Sequence, residues 1–130
     1  MLKKIVRFIK IEHTAFSLPL IFTGAWMGAD HRWPSMWVLA GIVFAAVGAR
    51  VFGMASNRIF DRRIDARNPR TAGRELPSGA MGLGAALAVA LGGLVVYIVA
   101  CALLNRWCLI LAPVPLVPLL GYSLLKRFTA

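Results

Sequence analysis

The chain has 130 residues, 59% of them hydrophobic and 15% charged, with a mean hydropathy of +0.73. That balance excludes a water-soluble domain of this size. The formal charge of +10 does not make nucleic acid a partner, because the basic residues cluster between apolar stretches rather than along a groove-tracking face. The composition predicts an all-α, polytopic transmembrane helix bundle with the lipid bilayer as its solvent.

In chain order, Lys3, Lys4, Arg7 and Lys10 precede a first helix predicted over 11–29, whose uncharged part runs from 14 to 29. It reaches spanning length if it begins near residue 11. A cleaved signal peptide is the competing reading, but Trp26, Met27, His31, Arg32 and Trp33 make a poor cleavage region. Pro19 is expected to cause no more than a packing kink. His13, near the start, reads either as an interfacial anchor or as a base. A second helix is expected over 33–57, interrupted only by Arg50, and a basic loop over 58–77.

The stretch 76–105 carries no charge and predicts a third helix over 78–104, N-capped by Ser78. Its Gly82, Gly84, Ala85, Ala86, Gly92 and Gly93 permit close helix packing. Cys101 and Cys108 flank the Asn105 and Arg106 turn. Small residues tolerated in apolar helices are the favoured account of them, with a bridge as the alternative. A fourth helix is expected over 107–125, where Pro113, Pro115 and Pro118 each remove a backbone donor. In lipid that is tolerable only where neighbours or a cavity satisfy the freed carbonyls, so a bent, cavity-lining helix is expected.

Four transmembrane helices result, and the charges order them. Lys3, Lys4, Arg7 and Lys10, the arginines from Arg58 to Arg74, and Lys126 with Arg127 fall on one side, while only Arg32 and Arg106 fall in the opposite loops. The positive-inside rule places both termini and the 58–77 loop in the cytoplasm, in a multi-pass protein of the inner (cytoplasmic) membrane.

Asn57, Asp61 and Asp65 recur every four residues, so at about 100° per residue each step drifts about 40° and all three share one helix face. Asp61 and Asp65 are two of only five acidic residues. Carboxylates beside an amide oxygen suit a hard cation such as magnesium. The neighbouring Arg58, Arg62, Arg63, Arg67, Arg70 and Arg74 favour a magnesium-carried phosphate over a bare metal. Arg50, seven residues before Asn57, returns to within about 20° of the same face roughly 10 Å deeper. A guanidinium within a span either faces a polar interior or pairs with a carbonyl or the interface. Tyr122 and Lys126, spaced i, i+4 at the far end, reach the same membrane level as Asp61. On spacing alone they read as interfacial anchors.

The run from Asn57 through Asp61 to Asp65, NRIFDRRID, with the following Asn68 to Gly79 segment, NPRTAGRELPSG, resembles the first aspartate-rich motif and loop of the UbiA-type intramembrane aromatic prenyltransferases. The opening Ile11 to Pro19 segment, IEHTAFSLP, and the Tyr122 and Lys126 pair extend the likeness over nearly the whole chain. Among branches it is most similar to bacterial and archaeal 4-hydroxybenzoate polyprenyltransferases, including relatives that serve menaquinone synthesis. The resemblance implies that Asn57, Asp61 and Asp65 hold magnesium against a polyprenyl diphosphate and are the catalytic set. Tyr122 and Lys126 would contact the diphosphate, with Arg67, Arg70 and Arg74 as looser candidates for its outer oxygens. Arg50 would bind the carboxylate of an aromatic acid acceptor or buttress the motif.

Family members carry a second aspartate-rich motif on a later loop, whereas no acidic residue follows Glu75 here. The 130 residues are therefore expected to be the N-terminal part of such a membrane domain, from a truncated gene, a fragment, or a subunit whose C-terminal half is a separate chain. Alone they are expected to have little or no prenyl transfer activity. Two alternatives compete. A magnesium-dependent phosphoalcohol transferase would show an Asp-Gly pattern that is absent. A non-catalytic membrane protein would use the basic loop to bind anionic lipid headgroups.

Overall fold

The computed structural model describes residues 12–129, with side chains described from 17 to 122. Lys3, Lys4, Arg7 and Lys10 fall outside the described residues, as do the side chains of His13, Phe16 and Lys126. The helices are α1 (Glu12–Gly28), α2 (Met36–Arg67), α3 (Leu83–Leu104), α4 (Arg106–Leu111) and α5 (Pro113–Thr129). No strand occurs among the described residues.

Helix α2 starts at Ser35, whose hydroxyl oxygen accepts the Val38 N–H at 3.4 Å. Its 32 residues rise about 48 Å at 1.5 Å each, well beyond a hydrocarbon core of about 30 Å. The expected end at residue 57 is therefore corrected. Charge alone does not stop a helix that leaves the apolar layer, and the first breaker is Asn68, held extended at φ −100°, ψ 118° by the following Pro69.

The loop after α2 folds on itself. Amides of Thr71 and Ala72 donate to the Asn68 carbonyl, both at 2.9 Å, Ser78 N–H donates to Arg74 O at 2.9 Å, and Met81 N–H donates to Glu75 O at 2.8 Å. Gly79 sits at φ 74°, a left-handed conformation that a helix cannot pass through. Ser78 consequently belongs to the loop, and α3 begins after Gly82, which offers no side-chain cap. The expected start at 78 is corrected to Leu83.

The expected fourth helix is two segments joined at Ala112. Pro113 and Pro115 have no N–H to give to the carbonyls four residues before them, and the Ala112 amide turns to Leu109 O at 3.3 Å, one residue nearer than an α-helix requires. The Tyr97 hydroxyl of α3 donates to the Ala112 carbonyl at 2.9 Å, a neighbour's donor at the joint. Cys101 and Cys108 are free thiols near this joint. Asn105 caps α4 by accepting the Cys108 N–H at 2.8 Å.

The packing fits an apolar solvent. The buried apolar residues are mostly small, Ala55, Ala86, Ala90, Ala100 and Ala112, whereas Trp37, Phe44, Leu91, Val95, Leu103 and Val117 are exposed. Water would reverse that order; lipid permits it, because tight contact between small residues holds membrane helices together. The principal contact is α2 on α3. A methyl group at Gly48 would lie 2.6 Å from the Tyr97 amide nitrogen and 2.8 Å from the Gly93 carbonyl oxygen, and one at Gly93 would lie 2.7 Å from the Phe52 nitrogen. Only glycine lets the two backbones approach this closely.

Among the described residues, α2 and α3 are the helices long and apolar enough to cross a membrane. Helices α1 and α5, 17 residues each, rise about 26 Å. At the end of the bundle remote from the polar motif, Asp30 and His31 turn the chain at φ 50° and 62°, with the Trp26 and His31 rings edge to face at 4.5 Å.

Candidate functional site

Among the described residues the buried polar and charged side chains are Ser56, Arg58, Asp61, Asp65 and Thr71. All lie near the last turns of α2, where the chain leaves the apolar layer. Asp61 and Asp65 are only 3% and 5% exposed. Carboxylates held so deeply require charged or hydrogen-bonding company.

Asp65 has two such supports from the loop. Its Oδ2 accepts from Arg74 Nη1 at 2.8 Å, and its backbone carbonyl accepts from the Thr71 hydroxyl at 3.0 Å. Arg58, on α2, forms a second ion pair with Glu75. The loop is thus fastened to α2 at two points, by adjacent loop residues of opposite charge. Glu75 and Thr71 were not singled out by the motif, and Arg58 was read there only as one of the arginines that favour phosphate. A lone glutamate in a basic loop is the one signal that might have raised Glu75, since it must meet one of the surrounding arginines.

Toward the membrane, a cleft of about 280 Å³ lies between α2 and α5, lined by Arg50, Met54, Asn57, Pro118, Leu119 and Tyr122. Gly53 keeps the helices close there, since an added methyl would meet Leu119 Cδ2 at 2.9 Å. Arg50 Nε and Asn57 Oδ1 are buried without a hydrogen-bond partner, an arrangement that is costly unless a ligand completes it. Tyr122 is 67% exposed. The structure therefore brings Arg50, Asn57 and Tyr122 to one cleft, while Asp61 and Asp65 follow Asn57 at four-residue steps along α2, buried outside that lining, with Arg74 on Asp65.

The other arginines of this stretch do not gather there. Arg63, Arg67 and Arg70 are exposed, and Arg67, two residues beyond Asp65, lies about 200° around the helix from it. Arg70 uses its backbone N–H to reach Asn68 Oδ1 at 3.0 Å. Lys126 lies on α5, with its side chain outside the described part.

The donor set fits magnesium in kind. Two carboxylates and an amide oxygen are hard ligands, and Asn57 Oδ1 is an acceptor still to be used. Among the described residues no three His, Cys, Asp or Glu side chains form a group able to hold a metal ion, so this stripe would need phosphate oxygens, water or further carboxylates to complete a coordination shell. A larger cavity of about 360 Å³, lined by Trp37, Gly41, Phe44, Val95, Val99 and Leu103 among others, has no charged group. The polar chemistry lies at the smaller one.

A bundle with small residues inside, large apolar ones outside and two buried carboxylates near a cleft lined by Arg50 and Asn57 fits a membrane-embedded helical protein. Its relatives are consistent with that class. The model of the UbiA prenyltransferase family matches residues 17–130. The chain is also similar to the apo structure of a UbiA homolog from Aeropyrum pernix K1, with 41% identity and a TM-score of 0.83 over 90% of this chain. It spans 42% of that homolog's length. No curated protein matches it. The chain belongs to the UbiA prenyltransferase family.

Proposed function

We propose that this chain supplies the first magnesium-diphosphate half-site of an aromatic prenyltransferase. The observation that carries the reading is the buried Asp61 and Asp65 pair, in helical step with Asn57, which lines a cleft together with an Arg50 whose Nε has no hydrogen-bond partner. In the reaction, the allylic C–O bond of a polyprenyl diphosphate breaks, a ring carbon of an aromatic acid bonds the allylic carbon, and the ring loses a proton. Asn57, Asp61 and Asp65 hold Mg2+, which when bound offsets the negative charge on the departing diphosphate. Tyr122 and Lys126 contact the diphosphate from α5. Arg74 serves its outer oxygens, and Arg67 and Arg70 stand farther out at the exposed rim.

Arg50 binds the acceptor's carboxylate or buttresses Asn57; its buried, unpartnered Nε supports either role. Met54, Pro118 and Leu119 give the isoprenoid tail an apolar wall, and the same wall keeps water from an allylic cation. The acceptor is 4-hydroxybenzoate, or a hydroxylated naphthoate as second choice, placing the reaction in ubiquinone or menaquinone synthesis. The motif faces the cytoplasm from the inner membrane. The stripe alone does not fill a magnesium coordination shell, which phosphate oxygens, water or further carboxylates complete.

A second reading, binding of anionic lipid headgroups by charge alone, is favoured by the exposure of Arg63, Arg67 and Arg70. Titration of geranyl diphosphate into the detergent-solubilised chain, with and without Mg2+, separates the two. The half-site reading expects magnesium-dependent binding that Asp61→Asn and Asp65→Asn each lose. Equal binding by all three proteins would replace it with the electrostatic reading.

A further inference from the structure

One oxygen of the Asp65 carboxylate is already engaged. Arg74 Nη1 lies 2.8 Å from Asp65 Oδ2, in an ion pair whose carboxylate side is 7% exposed and whose guanidinium side is 40% exposed. We infer that Arg74 is the resident counter-cation of Asp65, which competes with magnesium for that carboxylate and is released to the incoming diphosphate when the metal binds. The inference rests on the half-site reading above and adds to it an exchange between two partners of one carboxylate.

Three features of the loop support the exchange. First, the contact holds one charge against another in a partly dry place, where an unpaired carboxylate would be strongly disfavoured. A substitute cation therefore keeps the empty site folded. Second, Arg74 can leave without dismantling the loop, because its neighbour Glu75 is separately paired with Arg58 and the Thr71 hydroxyl holds the Asp65 backbone carbonyl rather than its side chain. Third, the guanidinium is the better exposed partner, so it can swing toward solvent or toward phosphate oxygens while Asp65 stays in place. A planar guanidinium suits either acceptor, pairing bidentately with carboxylate or phosphate.

The competition makes a prediction of unusual sign: removal of a residue beside the site improves metal binding. Mn2+ serves as the probe, its free concentration followed by electron paramagnetic resonance at constant ionic strength with the full 130-residue chain in detergent. Arg74→Gln is expected to tighten Mn2+ binding about three- to tenfold, which corresponds to about 0.7–1.4 kcal/mol at 1.4 kcal/mol per decade. The same variant is expected to weaken magnesium-dependent binding of geranyl diphosphate, because the released guanidinium is then missing. Arg70→Gln removes an equal charge from the same loop without touching Asp65, and is expected to leave Mn2+ affinity within about twofold of the parent.

A second measurement reads the loop itself. Hydrogen exchange in 68–82 is expected to quicken around Arg74 when Mg2+ is added to the parent, and to be insensitive to Mg2+ in Arg74→Gln. Equal Mn2+ affinity in the parent and Arg74→Gln would overturn the inference while leaving the half-site reading intact. Equal tightening by Arg70→Gln and Arg74→Gln would overturn it too, by reducing the effect to net charge. Binding no stronger than that of Asp65→Asn in every protein would remove the half-site reading and the inference together.

Discussion

Gly48 is the point at which the architecture depends most directly on one atom. A methyl there stands 2.6 Å from the Tyr97 amide nitrogen and 2.8 Å from the Gly93 carbonyl oxygen, both backbone atoms that no rotamer change can move. Ordinary contact begins near 3.4 Å, so α2 and α3 must separate locally by about 0.8 Å, enough to forfeit a substantial part of the dispersion attraction along the crossing. Overpacking of this kind costs about 1–3 kcal/mol. Gly92, one residue from Gly93 on α3, is the internal control, because an added methyl meets nothing within 4 Å. Gly92→Ala should be neutral or stabilising by up to about 1 kcal/mol from helix propensity. Reversible unfolding in mixed micelles, monitored by circular dichroism, should therefore rank Gly92→Ala at or above the parent and Gly48→Ala below it. If the two alanine variants unfold together, the close backbone crossing is not what holds α2 against α3.

Other predictions follow from the hydrogen bonds and ion pairs. Tyr97→Phe deletes the donor to the Ala112 carbonyl and should lower stability in the same assay by about 1 kcal/mol, with little change in diphosphate binding. Glu75→Gln weakens one of the two loop fastenings; faster hydrogen exchange at the Met81 and Ser78 amides is expected, and unchanged exchange would mean that the Arg58 ion pair does not hold the loop. Arg50→Gln should leave magnesium-dependent diphosphate binding nearly intact if Arg50 serves the acceptor. A parallel loss of diphosphate binding would assign it to the support of Asn57 instead.

The sequence carried the class and the stripe farther than it carried the boundaries. The i, i+4 spacing of Asn57, Asp61 and Asp65 was legible because helical periodicity is local, and the helix through them is observed. Its end was misplaced because span length was used to stop a helix that only Asn68 and Pro69 stop. The prolines announced an irregular fourth helix, but the Tyr97 hydroxyl that meets the Ala112 carbonyl at its joint comes from another helix. Small residues are spread through α3, so nothing local marked Gly93 rather than Gly92 as the contact. The pairs from Arg58 to Glu75 and from Arg74 to Asp65 close across a folded loop, where six arginines stand near three carboxylates and only tertiary structure selects among them. The unlike fates of Arg74 and of exposed Arg67 and Arg70 were hidden for the same reason.

The central claim is that Asn57, Asp61 and Asp65 form one half of a metal-diphosphate site. Crystals grown with Mn2+ and a non-hydrolysable geranyl thiodiphosphate test it through the anomalous signal of the metal. The account predicts a manganese peak about 2 Å from carboxylate oxygens of Asp61 and Asp65, beside the Asn57 amide, with diphosphate oxygens bridging toward Tyr122 and Arg74. A diphosphate bound to the exposed Arg63 and Arg67 face, with no metal on the stripe, would contradict it.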